Sequence, residues 1–278
     1  MRRLIMLCFV LLFASSMAIA QNNETDITQA SDNNDAIVDQ SGEANIATVT
    51  QKGVGVNTAI INQSSNPGET GIIESTIRQI GYHNTAIANG SRKNYRSSTT
   101  KQVQLGNHNR AVINPNGNIG SNLGTALTQV QQGNQNFATM SGKNSYSAEQ
   151  RQNGFSNVAK TSGNSKNADV FQKQVGNNNR AIMDGANFGY ASSNQRQFGD
   201  QNVSILENVG HDGPGESYVT YQNGTLNTAR LFANGYGGVL DISQISNQNS
   251  AKVTWTTPGN STDINQTGFS NSAVVNSN

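Results

Sequence analysis

The side chains best suited to acid–base or metal chemistry near neutral pH are three histidines, His83, His108 and His211. His83 and His108 each follow a glutamine by four residues, after Gln79 and Gln104. No His-x-x-x-His pair or cysteine ligand accompanies them, so all three read as solvated turn residues. The single cysteine, Cys8, lies in an apolar run near the N-terminus. The acidic residues are scattered, and none forms a pair that can be placed in one cleft. Gly53-Val54-Gly55 reads as a stretched turn, since no crossover helix follows to make a dinucleotide loop. No catalytic, cofactor-binding or metal-binding residue is expected, and the chain does not read as an enzyme. What the sequence holds in excess is carboxamide, with 64 Asn and Gln residues among 278. A carboxamide is both donor and acceptor, so it can bond to a copy of itself. That chemistry needs elements that set identical amides in register.

Internal repetition supplies such elements. The pattern Gln-x-Gly-x-x-Asn-x-Ala starts at Gln40, Gln79, Gln104, Gln131, Gln152, Gln174, Gln222 and Gln266. Degraded copies start at Gln29 and Gln244, with Ser for Gly, and at Gln197, with Ser for Ala. The copy at Gln51 carries one extra residue in its turn. Successive glutamines are spaced 11, 11, 28, 25, 27, 21, 22, 23, 25, 22 and 22 residues apart. A unit of about 22 residues, with two half-units at the start, predicts an all-β solenoid in which each winding contacts only its neighbours.

Within a unit, every second position is apolar or amide, the period of a half-buried strand. Nine residues after the glutamine stand Val38, Val49, Ala88, Ile113, Met140, Thr161, Met183, Leu206, Leu231, Val253 and Val275, with Ile61 equivalent in the Gln51 copy. Four before it stand Leu127, Ala148, Val170, Tyr218 and Leu240. Two before it a second glutamine recurs at Gln102, Gln129, Gln150, Gln172 and Gln195. Charge falls between these positions, as at Arg78, Arg151, Lys173, Arg196, Arg110, Arg180, Arg230, Glu149, Asp241 and Asp263. Unpaired charge in a dry core is costly, so this exclusion marks the outer face.

Each unit therefore reads as strand, tight turn, strand, second turn, with two stacked parallel sheets. The turn glycines are Gly42, Gly53, Gly81, Gly106, Gly133, Gly154, Gly176, Gly199, Gly224 and Gly268. The asparagine of each copy is expected to tolerate left-handed backbone. These asparagines are Asn45, Asn57, Asn84, Asn109, Asn136, Asn157, Asn179, Asn202, Asn227, Asn249 and Asn271. They and the twelve glutamines are expected to face inward as a structural ladder, stacked roughly 4.7–4.8 Å apart. The second turn is expected at Asn89-Gly90, Ser141-Gly142, Ser162-Gly163, Asp184-Gly185 and Asn234-Gly235, and at its edge fall all four prolines, Pro67, Pro115, Pro214 and Pro258. The longer units are expected to bulge there. Ten windings would make a rod on the order of 48 Å long. Trp255 and the scattered Tyr and Phe residues, Phe155 and Phe269 among them, are expected to cover turns or the surface.

Residues 1–20 read as a signal peptide, with Arg2 and Arg3, an apolar run, and Ala18-Ile19-Ala20 before the cleavage point. The run is too short for a membrane span. A short segment, 21–28, then leads into a repeat domain over 29–278. Without its leader the chain has 16 basic and 17 acidic side chains and no cysteine. That balance supplies no electrostatic footprint for nucleic acid or a membrane surface.

The recurring pattern resembles the curlin repeat, Ser-x5-Gln-x-Gly-x2-Asn-x-Ala-x3-Gln, found in amyloid subunits of bacterial curli. Its central part matches from Gln29 to Ala273. The leading serine is met at Ser98 but replaced by Tyr146, Ala168 and Ala191, and the trailing glutamine is met at Gln40, Gln51 and Gln63. The resemblance implies export through the periplasm and a dedicated outer-membrane pore with its accessory proteins. It then implies polymerisation into extracellular functional amyloid fibres of an adhesive biofilm matrix. The partners implied are copies of the chain itself and a companion nucleator or major subunit. The early half-units resemble a nucleator, whereas a strongly basic final repeat is missing, which favours a fibre subunit. The alternative class is a monomeric β-helix adhesin or polysaccharide-acting enzyme, which would show more variable coils and charge clustered on one face. The run ends at Asn278 without a charged cap, and an open sheet edge recruits further strands.

Overall fold

The computed structural model describes residues 22–30, 33–65, 71–92, 97–114, 125–141, 146–162, 168–184, 192–207, 217–233, 238–255 and 261–277. Strict alternation on both sides of each turn yields strands throughout, and the chain winds as a two-sheet parallel β-solenoid. The first sheet holds β1 (Glu24–Ala30), β3 (Asn45–Lys52), β5 (Ile73–Tyr82), β7 (Ser98–Asn107) and β9 (Thr125–Asn134). It continues through β11 (Tyr146–Phe155), β13 (Ala168–Val175), β15 (Ser192–Phe198), β17 (Ser217–Asn223), β19 (Val239–Ile245) and β21 (Ser261–Thr267). The second sheet holds β2 (Asp35–Ser41), β4 (Thr58–Ser65), β6 (Thr85–Arg92), β8 (Arg110–Ile113) and β10 (Phe137–Met140). It ends with β12 (Val158–Ser162), β14 (Arg180–Asp184), β16 (Val203–Glu207), β18 (Thr228–Ala233), β20 (Ser250–Trp255) and β22 (Ser272–Ser277). Strands in each sheet follow chain order, so every coil lies on the one before it. Parallel neighbours need a crossover, and the strand of the opposite sheet provides it.

The register is that of the repeat. Gln29 lies opposite Gln51, and Gln51 opposite Gln79. On the second sheet Ala36 lies opposite Ala59, and Ala59 opposite Ala86. Between the sheets sits a narrow core of alanine and aliphatic residues. It divides into a group from Ala47 to Ala88 and a longer one from Ile113 to Ile264.

Several expectations change. Among the described residues there are eleven coils rather than ten, because Gln266 heads a closing coil of its own, β21 and β22, while the first two 11-residue half-units share one coil. Gln40 therefore lies in β2, opposite Gln63, and not beneath Gln29 or Gln51. β1 takes in most of the segment 21–28 that was set apart from the repeats. Asn89 and Gly90 are not a turn but part of β6, with Gly90 opposite Gln63. Trp255 is 2% exposed and Tyr218 1%, with tilted rings 6.4 Å apart in the core. Trp255 falls eleven residues after Gln244, an inward position, so its ring had a place to go. The expected leader, the four prolines and most of the remaining second turns lie outside the described residues.

Candidate functional site: the amide ladders and the sheet edges

Each glutamine at the head of a copy, Gln40 excepted, enters one continuous ladder. Gln29 Nε2 donates to Gln51 Oε1 at 2.8 Å, and Gln51 to Gln79 at 2.8 Å. The chain of bonds continues from Gln79 to Gln104, Gln131 and Gln152 at 2.8–2.9 Å. It runs on through Gln174, Gln197, Gln222 and Gln244 to Gln266 at 2.8–2.9 Å. From Gln51 onward the same nitrogen also reaches the second sheet, as from Gln131 to the Arg110 carbonyl at 2.9 Å. A single side chain thus ties two sheets and successive coils.

The asparagines form a second ladder of opposite sense. Asn84 Nδ2 donates back to Asn57 Oδ1 at 3.1 Å, and the Asn84 backbone N–H does the same. The second Nδ2 proton reaches forward to the Gly106 carbonyl at 2.6 Å. This pattern recurs at Asn136, Asn157, Asn179, Asn202 and Asn227. At Asn109 the backbone N–H bonds Asn84 Oδ1 and Nδ2 reaches the Gly133 carbonyl. Asn249 and Asn271 repeat the backward bonds. Asn45 belongs elsewhere: with Gln40 half a coil away, it bonds Asn23 Oδ1. Gly42 likewise lies beside Ser65 at the opposite turn.

The turn glycines are compelled by both backbone and space. Gly154 has φ +130°, and a Cβ there would stand 1.9 Å from the Gly176 carbonyl oxygen. Left-handed backbone is supplied not by the asparagine but by the residue before it, such as His83, Ser156 or Leu226 at φ 53°, 54° and 61°. The asparagine keeps its side chain inward for bonding instead.

A second glutamine ladder runs only through the middle coils, from Gln102 to Gln129, Gln150, Gln172 and Gln195 at 2.6–2.9 Å. It starts where Ile77 lies opposite Gln102, and Gln102 Oε1 is buried without a donor. It ends by donating to Ser204 Oγ at 3.0 Å, which shares a 2.8 Å bond with Thr220 Oγ1. This closing pair was missed from sequence, although serine in place of the usual alanine at position 204 was the available signal.

The expected outer face carries the charges. Arg196 lies over the Phe171 ring and Lys173 over Phe198, while Arg151 pairs with Glu149. The Ser162 hydroxyl, then Lys160, hold the Asp184 carboxyl below its usual range, against the opposing effect of partial burial. Asp241 is pushed up by burial and by the neighbouring Asp263 carboxylate. His83 and His108 stack, with ring centroids 5.2 Å apart, and His211 lies outside the described residues. Among the described residues no three His, Cys, Asp or Glu side chains gather as for a metal ion.

The sheets end on β1 and β2 at one side and on β21 and β22 at the other. Gln266 Nε2 keeps its bond to the Ser250 carbonyl but has no further rung to donate to among the described residues. Asn271 Oδ1 likewise receives no donor there, and Gln29 Oε1 lacks the donor that every later rung has. Such edges, with side chains already set in register, are templates for another strand.

Residues 20–53 match the family model described as the curlin associated repeat, which covers the first coil and the start of the second. No curated protein matches the chain.

Proposed function

We propose that the chain is a secreted structural subunit that self-assembles into extracellular, curli-like amyloid fibres of a biofilm matrix. The observation that carries this reading is the pair of open edges, each displaying an amide rung whose bonding is one partner short. An added strand would satisfy both backbone and side chain at once, the arrangement that makes cross-β stacks so stable. The curlin match over residues 20–53 supports export through a dedicated outer-membrane pore and work beside other curli subunits. The role is structural, with adhesion following from the fibre, and no catalytic step is assigned.

The test is the exported chain, residues 21–278, which contains every described strand. Timed electron microscopy, seeded and unseeded, should show fibres that bind thioflavin and give a 4.7–4.8 Å meridional reflection. A solution that stays monomeric and fibre-free overturns the reading.

A further inference from the structure

The first and last coils carry the same inward residues. The first presents Thr25, Ile27, Gln29, Asn34, Ala36 and Val38. The last presents Thr262, Ile264, Gln266, Asn271, Ala273 and Val275. No other two coils agree at all six positions. The ladder also has a direction, since Gln266 holds the spare donor and Gln29 the spare acceptor. Two like ends would set donor against donor or acceptor against acceptor. A second copy of this chain, joined end to opposite end with Gln29 on Gln266, continues every inward column.

That register fixes what meets on the outside. Within one copy Asp241 lies opposite Asp263 on adjacent strands. Three residues before the glutamine of the incoming copy stands Asp26. We propose, resting on the fibre reading above, that the joint between copies is a proton-controlled one, with Asp26 of the incoming copy stacked on the Asp263–Asp241 carboxylate column. Among the described residues, the groups around the column supply no cation. Glu24 and Thr28 flank Asp26, Ser261 and Asn265 flank Asp263, and Val239 and Ser243 flank Asp241, with Val219 and Thr48 opposite the two ends. Glu24 is the one further titrating group, and it is acidic. The first coil and the turn after it contain Glu24, Asp26, Asp32, Asp35, Asp39 and Glu43, and the first basic residue after the leader is Lys52. In the same register Asp35 meets Ser272, Asp39 meets Asn276 and Glu24 meets Ser261, so repulsion concentrates on Asp26. Like charges directly opposite in a sheet are unfavourable. The joined state therefore binds protons more readily than the separated ends, and acid favours joining. Within the column Asp241 is already pushed up, by burial first and then by the Asp263 carboxylate.

Cysteine crosslinking and seeded elongation test the two parts. The exported chain has no cysteine, and the register sets Asn265 opposite Thr28 of the next copy, both outward. Under oxidation Thr28→Cys/Asn265→Cys should give covalent multimers in fibres, and each single variant should give none. Crosslinked dimers of a single variant would show like ends meeting and overturn the joint. Elongation of the parent should quicken about threefold from pH 7 to about pH 4.5, the size of one relieved like-charge contact. Asp263→Asn should lift the rate at pH 7 by about the same factor and flatten the profile. Asp169→Asn, an outward acid between Ser147 and Ser192, should change neither. Fibres that crosslink as expected while Asp263→Asn keeps the parent's profile would overturn the proton control alone. Absence of fibres at every pH would overturn the subunit reading, and the joint with it.

Discussion

Removing the Gln131 carboxamide strips three groups of a partner: Gln104 Nε2, Gln152 Oε1 and the Arg110 carbonyl. Gln131→Ala is expected to cost about 2–4 kcal/mol, since buried groups left unsatisfied cost more than a bond is worth. A lowered denaturant midpoint for loss of β-structure would check this, with the outward Arg180→Ala as the nearly silent comparison. Ser246 offers the opposite change. It holds φ 85° at a position where ten of the twelve copies place glycine, so Ser246→Gly is expected to stabilise by about 1 kcal/mol, read from the same midpoint. Much of this was legible at residue level because the spacing of Gln, Gly, Asn and Ala barely varies. The left-handed site before each asparagine was not. Its occupants, His83, Ser156 and Leu226 among them, share a conformation but no side-chain chemistry. The asparagine, a common left-handed residue, was credited instead.

At the scale of the strand, inward and outward faces could be assigned from alternation and from where charge is excluded. What alternation could not decide was the sheet on which a half-unit lands. A spacing of 11 residues is both a complete copy of the motif and half a coil, so Gln40 has the sequence environment of Gln29 and the position of Gln63. Asn89-Gly90 misled for a related reason: a turn dipeptide opposite a glutamine is simply a place where the partner sheet needs room. The last strands of the first sheet also carry a pH signature. Asp241 titrates above 3.8 in the folded chain, so the folded state binds the extra proton. Stability linked to this group is fullest below 3.8 and is lost as pH rises through the raised value. Asp263→Asn should lower the Asp241 titration midpoint, measurable by carboxyl NMR, because it removes the neighbouring charge. Burial, the larger cause, would keep that midpoint above 3.8.

For the whole molecule, the ends differ from the middle in what they tolerate. Inside the rod, Gly154→Ala meets both a forbidden φ and a backbone oxygen, so coils 6 and 7 should separate and the fold weaken by several kcal/mol, roughly the size of an overpacked core with added backbone strain. At Gly268 a Cβ would meet nothing nearer than Asn271 Nδ2 at 3.6 Å. Gly268→Ala should thus cost one residue of left-handed strain, about 1–2 kcal/mol, in an isolated chain. It should slow seeded growth far more than that, because the next copy would bring backbone to the same spot. Replacing Gln266 or Gln40 with Ala should also slow growth more than Arg180→Ala does, measured by thioflavin kinetics. The opposed senses of the two amide ladders have a consequence of another kind. The amide-to-amide bond of each Gln rung points its N–H toward the C-terminal end of the rod, and that of each Asn rung points back. Their dipoles offset coil by coil, so lengthening the stack adds little to the axial field from these side chains. The amide ladders therefore give two rods lying side by side no preferred relative orientation, and that choice falls to the outward charges, which the acidic first coil makes unequal at the two ends.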